Sequence, residues 1–319
     1  MKKFRSIMLA LMLITAVTSL FADINSAAAY TRLGVDARSV GMGGTGAAFL
    51  DNVSAVFVNP ASLADVKRIE FSTSTRQNME YDRSQLFGAI GFELPLGYVA
   101  LAWQNASTKD FRGYNSDGTP TGKFDNNEHN FGISYAMKMG NFNFGATPKI
   151  YMSDIDGDSK TGYGFDLGMV YHINRYFNFG FVAKDLISDF DGEGEEVPRL
   201  FIPSIAAFPI PGLVVAADLH GEEDFKEAKL RIGAEYWIGV NKDDNMGSSI
   251  SGIRVEENTT WSEIFSQTEA GIRVGINDGA FAGGFGVRFK MIELNYAYQI
   301  AQEEDFDNDH HLYSLSLRF

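Results

Sequence analysis

The chain has 319 residues, no cysteine and a formal net charge of -14. The lack of cysteine excludes a fold held together by disulfides, and the acidic balance argues against a nucleic-acid partner, because phosphate binding needs clustered Lys and Arg. Beyond the first 22 residues, no uninterrupted apolar run approaches the roughly 20 residues that a membrane-spanning helix needs.

The beginning of the chain has the three-part pattern of a secretory signal. Basic residues precede an uncharged apolar run over 7–21, and small residues follow. The run is too short to cross a bilayer comfortably. We therefore predict a signal peptide over 1–22, with cleavage after Ala22 preferred to a cut as late as Ala29.

From about residue 68 onward, apolar and polar residues alternate with the period of two that is typical of β-strands. The segments are mostly about nine to eleven residues long, which suits a tilted strand that crosses a membrane, whereas soluble strands average about five or six. About fourteen strands are predicted, at 68–76, 84–94, 97–105, 128–139, 142–152, 161–173, 176–185, 200–209, 211–220, 227–239, 268–276, 279–289, 291–300 and 311–319. Alternation alone is compatible with both a soluble sandwich and a membrane barrel.

The connections favour the barrel. Short turns alternate with longer loops, such as 106–127, 153–160 and 186–199, as they do in outer-membrane barrels with tight periplasmic turns. The segment 240–267 breaks this rhythm, and we interpret it as a periplasmic insertion rather than a miscounted strand. The predicted fold class is an all-β, transmembrane antiparallel β-barrel of about 14 strands over 68–319.

Residues 23–67 differ from the rest of the chain, because they are rich in Gly and Ala and do not alternate. Asp51 is a candidate N-cap for a short helix, and Asn59-Pro60 predicts a second helix start with proline in the first position. A segment of small residues joined to the first strand fits inside a barrel. We predict that it forms an N-terminal hatch of short helices in the lumen.

The hatch also carries a resemblance. The stretches LGVDARSVGMGG at 33–44, DNVSA at 51–55 and VNPASLA at 58–64, with the ending SLSLRF at 314–319, resemble the PorV/PorQ proteins of the wider FadL-like superfamily of outer-membrane barrels. The resemblance spans nearly the whole chain after the signal and implies a fourteen-stranded barrel with a lumenal hatch. The residues that carry the hatch motif are Gly41, Gly43, Gly44, Asp51, Asn59, Pro60 and Ala61.

The resemblance implies two functions. FadL-like proteins, the long-chain fatty acid transporters among them, pass hydrophobic molecules through a lateral gap in the wall, whereas PorV-like proteins hold exported cargo in type IX protein secretion. Our first prediction is passive passage of a small hydrophobic ligand, and the alternative is a secretion-system component with protein partners. The expected location is the outer membrane of a diderm bacterium, with membrane lipid as a partner and Phe319 as the signal read by the barrel assembly machinery.

Two binding motifs are weak. Gly41, Gly43 and Gly46 match a dinucleotide fingerprint, but no βαβ unit surrounds them. The acidic residues in 154–158 imitate a calcium loop that lacks its glycine and its final glutamate. We interpret the first as hatch packing and the second as a solvated turn, and we predict no metal and no cofactor.

An enzymatic function has one candidate group near the end of the chain. His310 and His311 precede Ser314, so a histidine general base could serve a membrane-embedded hydrolase. Adjacent residues on an extended backbone point to opposite faces, which makes the two histidines a poor metal pair. We interpret this region as an outward acidic loop, nominate no catalytic residue and predict that the protein is not an enzyme.

Overall fold

The computed structural model describes residues 28–66, 69–77, 79, 83–114, 117–190, 197–222, 225, 228–239, 268–300 and 310–319. The predicted signal peptide at 1–22 and the predicted insertion at 240–267 lie outside the described residues. None of the helices in the described ranges has the length and apolarity needed to cross a membrane.

Fourteen antiparallel strands in the described residues form one closed barrel, in which each strand pairs with its neighbours in the chain and the first pairs with the last. The predicted fold class is therefore confirmed. The strands are β1 (Glu70–Gln77), β2 (Ser84–Leu94), β3 (Gly97–Tyr114), β4 (Pro120–Met139), β5 (Phe142–Ile155), β6 (Asp158–Asn174), β7 (Phe177–Phe190), β8 (Leu200–Ala207), β9 (Leu213–Glu222), β10 (Lys229–Ile238), β11 (Thr268–Asn277), β12 (Ala280–Phe289), β13 (Ile292–Gln299) and β14 (His310–Arg318).

The alternation in sequence separates the two faces of the wall. In β5, Asn143 and Thr147 face the lumen and are fully buried, whereas Phe144 faces outward and is 41% exposed. The same division holds in the other strands, so that Arg, Glu, Asn and Ser side chains are buried inside while large apolar side chains are exposed outside. This is the reverse of a soluble protein and the expected arrangement of a membrane barrel.

The connections define the two ends of the barrel. Two-residue turns join β2 to β3, β4 to β5, β6 to β7 and β12 to β13 at one end, which we call the short-turn end. β10 ends at Ile238 and β11 begins at Thr268, and both of these residues, which flank the predicted insertion, lie at the short-turn end. The opposite end is the long-loop end, and in outer-membrane barrels long loops face outward.

The strands β3 to β7 extend further toward the long-loop end than the sequence predicts. The predicted loop 106–127 instead continues β3 to Tyr114 and starts β4 at Pro120. The predicted loop 153–160 is a tight hairpin at Asp156-Gly157, whose φ angles of 55° and 82° fit the Asp-Gly turn that matches strand twist. This side of the barrel is therefore taller than the side formed by β8 to β14.

The N-terminal segment contains one short α-helix, α1 (Ala37–Gly41), and three 3₁₀ helices, Ala29–Arg32, Val53–Phe57 and Pro60–Asp65. Asn59 caps the last of these by accepting from the backbone N–H of Ala61 at 3.0 Å, with Pro60 in the first turn, as predicted. The prediction of Asp51 as a cap is wrong. Its neighbour Asn52 accepts from the backbone of Ser54 instead.

Candidate functional site: a hatch inside the barrel

Residues 28–66, which we call the hatch, lie inside the lumen. The helix α1 packs against β11 to β14, and the 3₁₀ helix Pro60–Asp65 packs against β3 to β6 on the other side. The Tyr30 hydroxyl donates to the carbonyl of His129 toward the long-loop end. Asp65 contacts Lys138 near the short-turn end of β4. The hatch therefore runs through the lumen from one end to the other.

The glycines of the first hatch motif allow close backbone packing against the wall. Gly41 lies over Gly284 of β12, where an added Cβ would be 3.4 Å from the Gly284 Cα. Gly43 has a φ of 72°, and an added Cβ would lie 2.6 Å from the carbonyl oxygen of Ile276. Gly44 has a φ of 81° and faces the Arg231 guanidinium. Both φ values are in the region that favours glycine, and the short distances show that these glycines pack the hatch against the wall.

The second hatch motif packs against glycines of the opposite wall. A Cβ on Gly145 of β5 would overlap the backbone of Pro60 and Ala61, and one on Gly168 of β6 would overlap the Asn59 side chain. The Asn59 amide also donates to the carbonyl of Ala47 at 2.6 Å, within the hatch. Asn59, Pro60 and Ala61 are thus fixed against a part of the wall that has no inward side chains.

A buried ion cluster joins the hatch to the wall. The Arg38 guanidinium donates to both carboxylate oxygens of Glu235 at 2.7 to 3.0 Å and to Asp51 at 2.5 Å. Arg273 of β11 also donates to Glu235. Burial by itself would lower the pKa of Arg38, but Glu235 and Asp51 more than offset this effect, and its pKa lies well above the ordinary value. Arg38 therefore stays charged. In the structure Asp51 is a partner of Arg38 in this cluster.

A carboxylate of β9 holds the next part of the hatch. Asp218 accepts from the backbone N–H groups of Gly46 and Ala47 at 3.0 and 3.1 Å, and from the Ser204 hydroxyl. Charge-assisted bonds to backbone N–H groups are stronger than neutral ones. Asp218 thus accepts hydrogen bonds from two backbone N–H groups of the hatch that lie between its helices.

A second ion cluster lies on the tall side of the wall. Lys149 of β5 contacts Asp166 at 2.6 Å and Asp185 at 2.7 Å, and the Tyr151 hydroxyl donates to Asp185. Lys184 donates to the hatch carbonyl of Phe57 at 2.6 Å. Consecutive residues of a regular strand face opposite ways, but a bulge between β6 and β7, where Asp185 has a φ of 53°, turns Lys184 and Asp185 both inward.

The hatch ends in a third ion cluster at the short-turn end. Asp65 accepts from Lys138 at 2.9 Å and from the Asn143 amide at 2.7 Å, and lies 3.0 Å from His172. Burial raises the pKa of Asp65, but the hydrogen bonds and charges of His172 and Lys138 outweigh burial and hold it below its usual range. Asp65 is therefore a carboxylate at neutral pH.

The outer face of the wall carries an apolar groove across β4 to β8, with a volume of about 540 Å³. The groove lies on the other side of the wall from the Asn59-Pro60-Ala61 motif, because Gly145 and Gly168 border both. The side chains around it are apolar apart from the hydroxyl of Tyr135, which donates to the carbonyl of Leu96.

The structure separates the candidate hydrolase residues. His311 faces outward, where its Nδ1 lies 2.8 Å from the Tyr296 hydroxyl, whereas Ser314 is buried on the lumenal side. His310 is four residues from Ser314 along β14, about 13 Å on an extended strand, which is beyond hydrogen-bond reach. His310 and His311 are therefore not placed to act as a base for Ser314.

The acidic residues of the calcium-like loop belong to the β5–β6 hairpin. Asp154 accepts from the Gly157 backbone at 3.3 Å and from the Ser159 hydroxyl at 2.9 Å, so its oxygens close the turn. Across the described ranges, no group of three or more histidine and acidic side chains is placed to hold a metal ion.

Phe319 follows β14 at the short-turn end. Its backbone N–H donates to the carbonyl of Ile69 at 2.9 Å, and its ring is 57% exposed. The contact closes the seam between β14 and β1. An exposed ring beside this seam is accessible to a partner, and its role as an assembly signal remains a prediction.

Alternation along the strands indicates which charges face inward but not their partners. Lys149, Lys184 and Arg273 alternate with apolar residues, and all three lie on the lumenal side of the wall. Glu235 and Asp218 occupy equivalent alternating positions, and the structure places both against the hatch. Alternation shows which face a residue occupies, but it does not show which distant residue lies opposite.

No protein-family model matches the sequence, and no curated protein matches it closely. Solved structures do match the fold. The toluene transporter TodX of P. putida superposes with a TM-score of 0.61 at 12% identity, over 90% of this chain and 98% of that chain. The toluene transporter TbuX of Ralstonia pickettii gives a TM-score of 0.60 at 13% identity with the same coverage. A FadL homologue of Pseudomonas aeruginosa gives 0.54 at 13% identity, over 88% and 97% of the two chains. The chain therefore has the same fold as these barrels.

Proposed function

We propose that the protein is an outer-membrane channel through which small hydrophobic molecules pass. The observation that carries the proposal is the inverted wall, apolar outside and charged inside, around a lumen that the hatch runs through. An apolar outer face of this extent is stable only against lipid. The similarity of the fold to toluene transporters and to a FadL homologue supports hydrophobic molecules as the substrate class.

In this proposal the hatch gates the lumen. Its helices are short, and it is held to the wall by backbone packing against glycines, by apolar contacts, by hydrogen bonds and by a small number of ion pairs. A hydrophobic molecule that enters at the long-loop end would displace part of the hatch and leave sideways into the bilayer. The concentration gradient drives the movement, and the residues described above supply the gate rather than any reaction chemistry.

The narrower kinship to PorV/PorQ proteins and a role in holding secreted cargo stay predictions. No feature of the described ranges favours a protein cargo over a small molecule. Passage of hydrophobic molecules therefore remains our first choice.

Two matched cross-links test the gating step. The Ser54 hydroxyl of the hatch is 3.3 Å from that of Ser72 in β1, and Ser72 is 3.1 Å from Ser316 in β14. In a chain without cysteine, the pair Ser54→Cys and Ser72→Cys would join the hatch to the wall, whereas Ser72→Cys with Ser316→Cys would join wall to wall. The second pair is the control for oxidation and for rigidity of the barrel.

The readout is uptake of radiolabelled oleate and toluene by cells that express each variant. We expect the oxidised hatch-to-wall pair to lose most uptake and to recover it on reduction, while the wall-to-wall pair transports in both states. Equal uptake by the locked and reduced hatch would overturn gating. Uptake no higher than that of cells without the protein, in every form, would overturn the channel.

A further inference from the structure

We propose that the outer groove across β4 to β8 binds one acyl chain of a membrane phospholipid, with the headgroup phosphate near Arg175. This inference rests on the proposed membrane location. It concerns the outer face of the wall, and so a site other than the path through the lumen.

The groove arises from small residues in one row of the wall. Paired outward positions on five adjacent strands run from Tyr135 through Ala146, Leu167 and Ala183 to Phe201. Alanine at the second and fourth positions leaves a depression where most outward positions carry larger side chains. The volume of about 540 Å³ lies within the range of about 300–1,000 Å³ that is typical of ligand sites.

The row is flanked by larger apolar side chains nearer the short-turn end. Phe144, Met169 and Phe181 occupy the next outward positions of β5, β6 and β7 and also line the groove. Above Ala183, the bulge of β7 places Leu186 at the edge of the groove. These side chains form apolar walls along a shallow channel, which suits a flexible hydrocarbon chain better than a polar or charged group.

The position of the groove favours a phospholipid over a molecule in transit. Phe144 is two residues from the start of β5, so the groove lies in the half of the wall near the short turns, which face the periplasm in outer-membrane barrels. At that level Phe142 stacks on Tyr171 with ring centroids 4.4 Å apart, as aromatic side chains do at a membrane interface.

A cation lies at the level expected for the headgroup. Arg175 is exposed in the turn between β6 and β7, directly beyond two of the strands that form the groove, and its guanidinium lies over the ring of Tyr176 at 4.5 Å. Arginine pairs well with phosphate because its guanidinium presents two parallel donors. One lipid would thus satisfy both the apolar groove and the charge beneath it.

Native mass spectrometry of the whole protein tests this after extensive washing in detergent. We expect the wild type to retain one phospholipid. Ala146→Leu fills the groove from an outward position and should lower the retained fraction about tenfold, and Arg175→Gln should lower it several-fold. Ala183→Val is a second, smaller filling in case the first variant folds poorly. Ala270→Leu, at an exposed outward position of β11, is the matched control and should retain the lipid.

The outcomes separate this inference from the channel itself. Equal phospholipid retention by wild type, Ala146→Leu and Ala270→Leu would overturn the groove site, as would retention of a free hydrocarbon in place of phospholipid. Uptake of oleate and toluene by the same variants is measured in parallel. Loss of lipid with normal uptake supports the groove as a separate site, whereas absence of uptake in the wild type would count against the channel and leave the lipid result standing.

Discussion

Arg38 of the hatch and Glu235 of β10 are 197 positions apart in the chain, yet the guanidinium of one donates to both carboxylate oxygens of the other. Both side chains are almost completely buried. Removal of one partner from a buried ion pair leaves the other charge uncompensated, which is far more costly than loss of an exposed pair. This pair is therefore the contact whose loss should most weaken the attachment of the hatch.

We expect Arg38→Met to destabilise the folded barrel by roughly 3–5 kcal/mol and to raise ion conductance, because Asp51 then loses its pairing with Arg38 and only the wall residue Arg273 still pairs with Glu235, which loosens the hatch. Unfolding by guanidinium in detergent and conductance in planar bilayers measure the two effects. Arg32→Met is the control within the hatch, since its ion pair with Glu222 is largely exposed and should contribute about 1 kcal/mol or less. If Arg38→Met and Arg32→Met change stability and conductance equally, the Arg38–Glu235 pair is not the main attachment of the hatch.

A second prediction concerns the glycines behind the Asn59-Pro60-Ala61 motif. In Gly145→Leu, the new side chain would occupy the position of the Pro60 backbone, so we expect the hatch to be displaced and to become sensitive to added protease. Gly88→Leu introduces the same side chain where an added Cβ meets nothing within 4 Å, and it should leave protease resistance unchanged. Resistance in both variants would show that the wall tolerates side chains behind the hatch.

The third prediction is a dependence on acid. Because the pKa of Asp65 is lower in the folded protein than the ordinary value of 3.8, its carboxylate contributes stability above that value and loses the contribution as the pH falls through the folded pKa. We expect the temperature of heat-induced unfolding in detergent to decrease below about pH 4 in the wild type. Asp65→Asn should be less stable than the wild type at pH 7, and the difference should shrink in acid. If the difference in unfolding temperature between the wild type and Asp65→Asn stays constant from pH 7 into acid, the prediction is wrong.

The fourth prediction separates assembly from folding at the end of the chain. Phe319→Ala keeps the backbone N–H that contacts Ile69 but removes the exposed ring. We expect the amount of assembled barrel in cells to fall several-fold, while refolding of purified protein into detergent is unchanged. The shift in electrophoretic mobility on heating reports both. If refolding in detergent falls equally, the ring acts in the barrel itself and not through the assembly machinery.

The sequence predicts all fourteen strands because an apolar exterior and a polar interior impose a period of two on every residue that crosses the membrane. It fails where this constraint ends. Beyond Ser107 in β3, and before Asn127 in β4, polar residues occupy both faces, so the strands continue without alternation and were predicted as a loop. The Asp156-Gly157 hairpin was also available from the sequence, as a turn signal between two strands.

The hatch was predictable as a segment, from its composition and its resemblance, but its attachments were not. The capping by Asn59 is local and follows from residues two apart in sequence. The pairing of Asp51 with Arg38 instead depends on how the hatch folds back, and the choice of Glu235 depends on which strand faces it. Without such spatial information, Asp51 resembles a helix cap.

The seam between β1 and β14 has a consequence for the order of assembly. The hatch precedes β1, and β1 completes the cylinder only by pairing with β14, the last strand of the barrel. Once that seam forms, the hatch can leave or enter only through an open mouth of the cylinder, because a folded segment of its size cannot pass between hydrogen-bonded strands. The segment that precedes the first strand is thus enclosed by the last strand of the barrel, and the docking of the nine residues of β14 decides what occupies the lumen.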